Sequence, residues 1–214
     1  MQTSNEVIGV ILAGGLARRM EHQNKAFIEL GGKPLIKHVI DRFLPQCSTV
    51  LINSNEQDER YLHYGLNVIE DSLNGFLGPL AGILAAMEWS LQHQPTNRWL
   101  ASVAVDTPFL PLDLVDRLFL STKDAQANLA CAYSQGRAQP VNGLWDVRLA
   151  NDLRTALTDQ GLRKIDQWTA RYDLAAVPFD GATIDPFFNI NCQDDLMQAQ
   201  QLIKFDPSNI TRIV

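Results

Sequence analysis

The chain has 214 residues, a length that suits one domain with a substantial core, although two small domains would also fit. Its formal net charge of −6 argues against a general nucleic-acid or anionic-membrane surface, so a site for a polyanion must be locally basic and assisted by a divalent metal. No apolar run approaches the roughly twenty residues of a membrane span, and the first residues lack a signal pattern, so we expect a cytoplasmic protein with neither nucleic-acid nor membrane partners.

The first apolar run, Val7–Leu12, predicts a buried strand that enters a loop at Ala13–Gly15. Paired glycines after a strand are typical of a loop whose backbone N–H groups approach phosphate oxygens, although they are also typical of a plain tight turn. Arg18, Arg19 and Lys25 follow and supply the positive charge that a triphosphate needs. Together these features predict a nucleotide site.

Two better-known glycine signatures are missing from this stretch. A dinucleotide-binding loop would contain Gly-x-Gly-x-x-Gly, and a phosphate-binding NTPase loop would contain Gly-Lys-Ser/Thr. The sequence therefore disfavours NAD binding and a P-loop.

The next segments predict a turn at 31–34 and a helix at 35–43, followed by strands at 49–52 and 68–69. The helix pattern places apolar side chains on one face and exposes Lys37, His38, Asp41 and Arg42 on the other, as in a surface helix. Asn53 comes directly after the first of these strands, and the second ends at Glu70-Asp71.

A second helix is predicted to begin at Gly78-Pro79 and to carry an apolar stripe as far as Leu91. Trp99–Val105 is the clearest interior strand, and Asp106 follows it. A third helix is predicted around 114–119.

This alternation of strands and helices predicts an α/β fold with an open, mostly parallel sheet that helices cover on both faces. Ligands of such folds bind beyond the carboxyl ends of the strands. The loop after Leu12, together with Asn53, Asp71 and Asp106, should therefore converge on one crevice.

The second half is less regular and predicts a partly antiparallel portion of the sheet. We expect strands at 129–133 and 141–145, a helix at 147–157, a short strand at Phe187–Asn191 and a last helix at 194–203. Trp145 and Trp168 are expected in the core or at a subunit contact rather than as stacking platforms for a ligand.

An aspartate at a strand end beside a phosphate loop is typical of a Mg²⁺ ligand, which makes Asp106 the candidate metal residue. Asp106 and Asp71 could instead cap local turns, and Asn53 could simply end its strand. The cysteines are odd in number and widely separated, so we expect reduced thiols and no zinc site: Cys47, Cys131 and Cys192.

Eight segments in order resemble the nucleotidyltransferases that use an NTP to cap a phosphorylated acceptor, and within them the molybdenum cofactor guanylyltransferases. They are Leu12-Ala-Gly-Gly, Arg18-Arg-Met20, Lys25, Gly32-Lys-Pro-Leu35, Ile69-Glu-Asp71, Gly78-Pro-Leu-Ala-Gly82, Asp106-Thr-Pro-Phe-Leu-Pro111 and Asn189-Ile-Asn191. The resemblance extends from Val7 to about Leu202. It implies a single three-layer α/β/α domain over 1–214, like the nucleotide-diphospho-sugar transferases, with a GTP-binding N-terminal half and an acceptor-binding C-terminal half.

The resemblance implies transfer of GMP from GTP to molybdopterin-bound molybdenum cofactor, with Mg²⁺ as cofactor and with molybdoenzymes or their chaperones as candidate recipients of the product. It implies that GTP is bound by Leu12, Ala13, Gly14, Lys25, Asn53, Asp71 and Asp106, to which we add Gly15 and Gly78. The expected catalytic residues are Arg19 and Lys25, which would neutralise the triphosphate, and Asp106, which would hold Mg²⁺. The Asp71 carboxylate is suited to accept hydrogen bonds from guanine.

The acceptor candidates are Gly82, Asn142, Arg163, Lys164, Asn189 and Asn191, although the charged ones could instead belong to a solvated surface. Glu21 and Asn24 depart from the family, whose members usually carry Gly and Asp there, and Cys192 stands where Thr is common. An added carboxylate near a triphosphate is electrostatically unfavourable unless it faces solvent. The remaining alternatives are a cytidylyltransferase or sugar-phosphate nucleotidyltransferase of the same fold, and a non-catalytic nucleotide-binding module.

Overall fold

The computed structural model describes residues 7–14, 24–75, 77–180 and 184–205, and it has the predicted three-layer α/β/α architecture. The elements in chain order are β1 (Val7–Leu12), β2 (Glu29–Leu30), β3 (Lys33–Pro34), α1 (Leu35–Phe43), β4 (Thr49–Asn53), β5 (Asn67–Ile69), α2 (Pro79–His93), β6 (Trp99–Ala104), α3 (Leu114–Ala125), β7 (Leu129–Ser134), β8 (Arg137–Asp146), α4 (Ala150–Thr158), α5 (Ile165–Thr169), β9 (Leu174–Pro178) and α6 (Gln193–Phe205). In these described ranges, no helix has both the length and the apolar character to span a membrane.

The main sheet has seven strands in the order β5-β4-β1-β6-β8-β7-β9. All neighbouring pairs are parallel except those of β8, which runs antiparallel to β6 and to β7. The predicted mixture of parallel and antiparallel pairing is therefore confirmed. The chain leaves β1 toward β4 and β5 on one side and later returns to β6 on the other, so the direction of winding reverses between β1 and β6, where open α/β sheets bind ligands.

The helices cover the two faces of the sheet unequally. Helices α1 and α3 pack on one face, and α2, α4 and α5 pack on the other. Trp145 and Trp168 lie on the face that α2, α4 and α5 cover, with their ring centroids 6.0 Å apart, and both side chains are buried. Their prediction as core residues is confirmed.

The predicted exposed face of α1 is partly wrong, because His38 and Arg42 are buried. A ring nitrogen of His38, Nε2, lies 2.8 Å from the carbonyl oxygen of Leu30, and the Arg42 Nε–H donates to the carbonyl of Leu110. The β2–β3 hairpin and the loop after β6 thus cover a face that the helical periodicity alone assigns to solvent.

The buried His38 makes the stability of the protein sensitive to acid. Burial lowers the pKa of His38 below its ordinary value of 6.5, and nearby Lys33 lowers it further, while the Leu30 carbonyl and Asp41 oppose the shift. As the pH falls below 6.5, the unfolded chain takes up a proton that the folded chain resists, so stability decreases until the folded pKa is passed; above 6.5 both states are neutral.

We expect urea unfolding to give a smaller free energy at pH 5.5 than at pH 7.5, and the difference to shrink in His38→Gln, which keeps a hydrogen-bond donor. His63→Gln is the matched control because its imidazole is exposed. An equal pH dependence of the wild type and His38→Gln would contradict this expectation.

The predicted strand at Phe187–Asn191 is also wrong, because this segment is irregular. The Asp185 side-chain Oδ1 accepts the N–H of Phe187, and the Ile190 N–H donates to the Asp106 carbonyl at 3.0 Å, but no strand pairing forms in the described part of this segment. Phe188 and Ile190 pack against α6 and the hairpin, whereas Phe187 is buried in the core that α1 and α3 cover. Strand β9, which the sequence analysis missed, forms one edge of the sheet, beside β7.

Candidate functional site

The carboxyl ends of β1, β4 and β6 lie side by side. Leu12, the last residue of β1, is aligned with Asn53 on one neighbour and Ala104 on the other. The Ala13 N–H donates to the Asn53 carbonyl at 2.9 Å, and the Val105 N–H donates to the Leu12 carbonyl at 3.2 Å. The predicted convergence is confirmed for these ends, whereas Gly15, Arg18, Arg19 and Glu21 lie outside the described residues.

The Asn53 and Asp71 side chains meet on one side of β1. Asn53 is buried, and its Nδ2 donates to Asp71 Oδ1 at 3.0 Å and to the Ile69 carbonyl at 3.4 Å. Asn55 completes the cluster, since its Nδ2 donates to Asp71 Oδ2 and its Oδ1 accepts the Asp71 N–H, both at 2.8 Å. The sequence analysis missed Asn55; the Asn-x-Asn spacing could have indicated it, because alternate residues of an extended segment share a side.

Gly82 lies directly against this cluster, in the first turn of α2. A Cβ atom there would stand 2.1 Å from Asn53 Oδ1 and 2.8 Å from a terminal carbon of Leu12. Because Gly82 has no side chain, the Asn53 side chain has room to lie against α2 and to reach Asp71. The structure places this acceptor candidate beside the proposed nucleotide residues, and its acceptor role stays a prediction.

Gly78 precedes α2 with φ 73° and ψ −168°, a backbone conformation that strongly favours glycine. Its Cα faces the Arg163 carbonyl, from which a Cβ would be 3.7 Å. The Arg163 guanidinium donates to the carbonyls of Leu157 and Leu162, so it closes the loop after α4. Lys164 is exposed at the start of α5.

The Lys25 and Asp106 side chains form an ion pair on the other side of β1. The Lys25 ammonium lies 2.5 Å from Asp106 Oδ2 and 2.7 Å from Asn191 Oδ1. Both charged side chains are mostly buried, with 14% and 18% of their surface exposed. Asn191, predicted on the acceptor side, thus belongs to the same cluster as the predicted catalytic pair.

Local caps fix the backbone on both sides of this ion pair. Asn24 Oδ1 accepts the Ala26 N–H, which orients the short 3₁₀ helix Lys25–Phe27. An Asp at position 24 would offer the same acceptor, so this departure from the family pattern keeps the cap. Asp195 Oδ2 accepts the N–H groups of Asn191 and Cys192, and although burial opposes ionisation, these bonds lower the pKa of Asp195.

The remaining acceptor candidates lie farther along the sheet and its loops. Asn142 is buried in β8 near a register shift, and within the described part of the chain its Oδ1 has no hydrogen-bond partner. Asn189 is half-buried in the irregular segment before α6. The structure therefore joins Asn191 to the catalytic pair but shows no direct contact between Asn142 and that pair.

The donor set fits a magnesium ion that arrives with phosphate ligands. Among the described residues, no group of three or more His, Cys, Asp or Glu side chains could hold a metal by itself. Mg²⁺ commonly takes one or two carboxylates and completes its shell with phosphates and water. Asp106 supplies such a carboxylate, and the Asn191 carboxamide oxygen lies within the same cluster.

Similarity to known proteins extends over nearly the whole chain. The profile of the family described as a MobA-like NTP transferase domain matches residues 9–174. The molybdenum cofactor guanylyltransferases of Bradyrhizobium sp. (strain ORS 278) and Shewanella sediminis (strain HAW-EB3) are 46% and 40% identical over 200 residues, which is 94% of this chain and 94% and 98% of theirs.

Solved structures agree with these sequence matches. A molybdopterin-guanine dinucleotide biosynthesis protein A from Archaeoglobus fulgidus is 26% identical with a TM-score of 0.75, covering 92% of this chain and 99% of that one. A CMP:2-keto-3-deoxy-manno-octonic acid synthetase complexed with CTP has a TM-score of 0.71 at 11% identity, over 94% and 99% of the two chains, and shows the fold alone. The predicted fold class is confirmed.

Proposed function

The chain belongs to the MobA-like NTP transferase family, and on that basis we propose that it transfers GMP from GTP to molybdopterin-bound molybdenum cofactor and releases pyrophosphate. The observation that carries the proposal is that two polar clusters lie beyond the carboxyl ends of the strands, one on each side of β1. Asn53 and Asp71 lie on one side of β1, and Lys25 and Asp106 lie on the other. This separation suits a nucleotide whose base and triphosphate bind at opposite ends of the crevice.

At the base end, the Asp71 carboxylate would accept hydrogen bonds from guanine, while buried Asn53 holds it in place. At the phosphate end, the Lys25 ammonium would bind the triphosphate, together with the predicted contributions of Arg19 and of the backbone at Ala13–Gly15. Asp106, with Asn191 beside it, would hold Mg²⁺, and a bound Mg²⁺ supplies positive charge that offsets the charge building on the α-phosphate.

The proposed reaction needs no protein nucleophile. An acceptor phosphate attacks the α-phosphorus in line with the departing pyrophosphate, so the chain's task is to orient both substrates and to offset charge. Asn191 is the acceptor candidate best placed to act in that step, because it already contacts the Lys25 ammonium. Gly82, Asn142, Arg163, Lys164 and Asn189 remain proposed contacts of the acceptor.

In the structure, Lys25 forms an ion pair with the same carboxylate that we propose for the metal. A divalent ion at Asp106 would therefore meet an adjacent ammonium charge unless phosphate oxygens draw Lys25 away. We expect Lys25→Met to bind Mn²⁺ without nucleotide roughly tenfold more tightly than the wild type. Electron paramagnetic resonance of free Mn²⁺ measures this affinity.

Lys37→Met is the matched control for that experiment, because it removes a lysine that pairs with Asp41 on α1. Its Mn²⁺ affinity should equal that of the wild type. Unchanged Mn²⁺ affinity in Lys25→Met would show that the ion pair does not compete with metal.

The function itself is tested by supplying purified protein with GTP or CTP and with molybdenum cofactor or a sugar phosphate. Pyrophosphate release is measured for each combination with Mg²⁺. We expect turnover with GTP and molybdenum cofactor to exceed every other combination. Faster turnover with CTP, or with a sugar phosphate, would overturn the proposal.

A further inference from the structure

The side chain of Asn55 contacts Asp71 at two points, although no motif of the sequence analysis includes Asn55. The Asn55 amide donates to Asp71 Oδ2, and its carbonyl oxygen accepts the backbone N–H of the same residue. One side chain thus holds both the backbone and the carboxylate of Asp71. Because β4 and β5 are parallel neighbours, the two residues emerge from adjacent strand ends.

The Asp71 carboxylate has one amide donor on each oxygen, Asn53 on Oδ1 and Asn55 on Oδ2. An ionised carboxylate has about four acceptor positions, so about two remain for a ligand. In the described ranges, no Lys or Arg forms an ion pair with Asp71. The carboxylate is therefore hydrogen-bonded by the neutral amides of Asn53 and Asn55, and its negative charge stays available for hydrogen-bond donors of a ligand.

Two adjacent acceptor oxygens suit a base that presents two adjacent donors. Guanine presents N1–H and the 2-amino group side by side on one edge, whereas adenine and cytosine place an acceptor nitrogen next to their amino group. This match depends on the rotation of the carboxylate about its Cβ–Cγ bond, because only one plane directs both oxygens to the same edge. Asn53 alone bonds a single oxygen, so Asn55 is the group that fixes this plane.

We propose that Asn55 is a positioning residue for nucleobase specificity, which orients the Asp71 carboxylate toward the two adjacent N–H donors of guanine. The inference rests on the proposed function, in which Asp71 contacts the base of GTP. Asn55 is exposed while Asn53 is buried, so Asn55 can be replaced without opening the core.

The test is equilibrium binding of GTP, inosine triphosphate and inorganic tripolyphosphate, each with Mg²⁺, to the wild type, Asn55→Ala and Asn55→Asp. Inosine triphosphate keeps N1–H but lacks the 2-amino group. Asn55→Asp keeps an oxygen that can accept the Asp71 backbone N–H but cannot donate to the Asp71 carboxylate. It therefore distinguishes the contact with the backbone from the contact that orients the carboxylate. Asn97→Ala is the control, because Asn97 makes its contacts with Ser48 and Gln94 at the opposite end of the sheet.

We expect both Asn55 variants to lose about tenfold in affinity for GTP, much less for inosine triphosphate and nothing for tripolyphosphate. A wild-type preference for GTP that persists in both variants, or an equal loss for all three ligands, overturns the role of Asn55 and leaves the proposed function standing. A wild type that does not distinguish GTP from inosine triphosphate overturns the guanine contact itself.

Discussion

Replacing Asp106 by asparagine is expected to lower turnover about a thousandfold while the affinity for GTP changes far less. Asparagine has nearly the same shape and keeps an oxygen near the Lys25 ammonium, so the fold and the local hydrogen bonds should survive. It removes the negative charge that we propose to hold Mg²⁺ beside the reacting phosphate. Pyrophosphate release under saturating GTP measures turnover, and calorimetry measures the affinity.

The matched control is Asp113→Asn, a change of the same charge a few residues along the chain. The Asp113 side chain is 62% exposed and its carboxylate lies 3.9 Å from Arg117 at the start of α3. Turnover should be unchanged in this variant. If Asp106→Asn kept turnover within tenfold of the wild type while binding GTP normally, a non-catalytic nucleotide-binding module would become the better interpretation.

Gly82→Ala is expected to cost at least about tenfold in GTP affinity, because the new methyl group would overlap Asn53 Oδ1. Asn53 must then move, and its bond to the Asp71 carboxylate is lost with it. The overlap should also destabilise the fold by about 1 to 3 kcal/mol, even though alanine is otherwise the better residue in a helix. Fluorescence titration with GTP and urea unfolding give the two quantities.

Two further variants separate the steric effect from general damage to α2. Ser90→Ala truncates another buried side chain of the helix, and since its hydroxyl has no hydrogen-bond partner among the described residues, it should bind GTP normally. The double variant Gly82→Ala/Asn53→Ala removes the nearest clashing atom but leaves the contact with Leu12, so stability should recover in part while GTP affinity stays low. Recovery of GTP affinity in the double variant would contradict the role of Asn53.

The interior strands could be predicted because their signals are local. Val7–Leu12 and Trp99–Ala104 are buried on both sides, so each is a mostly apolar run, interrupted by Gly9 or Ser102, with glycine or aspartate two residues after its end. Strand β9 could not be recognised in this way: in Leu174–Pro178 alternate residues are exposed and the buried ones are Ala and Val, so its apolar signal is weak. Only its pairing with β7 makes it a strand.

The candidate site also contains residues that the sequence could identify and contacts that it could not. Asp71 and Asp106 were identifiable because each follows a strand, and parallel strand ends must share an edge. The contacts around those carboxylates could not be identified in this way. Asn191 joins the Asp106 cluster through Lys25, which lies 166 positions away, and Asn55 meets Asp71 only when β4 and β5 pair. The strand prediction at Phe187–Asn191 failed for a related reason: its apolar side chains are buried by contacts with remote segments, Ile190 against α6 and Phe187 in the core that α1 and α3 cover.

The sequence by itself determined the alternation of elements, the polar residues at the strand ends and the family, because these depend on residue type and spacing along the chain. The tertiary structure alone decided that Gly82 makes room for Asn53, that His38 and Arg42 are buried, and that Lys25 pairs with Asp106. Such contacts depend on distances between remote segments, which are fixed only when the sheet and its covering helices pack together.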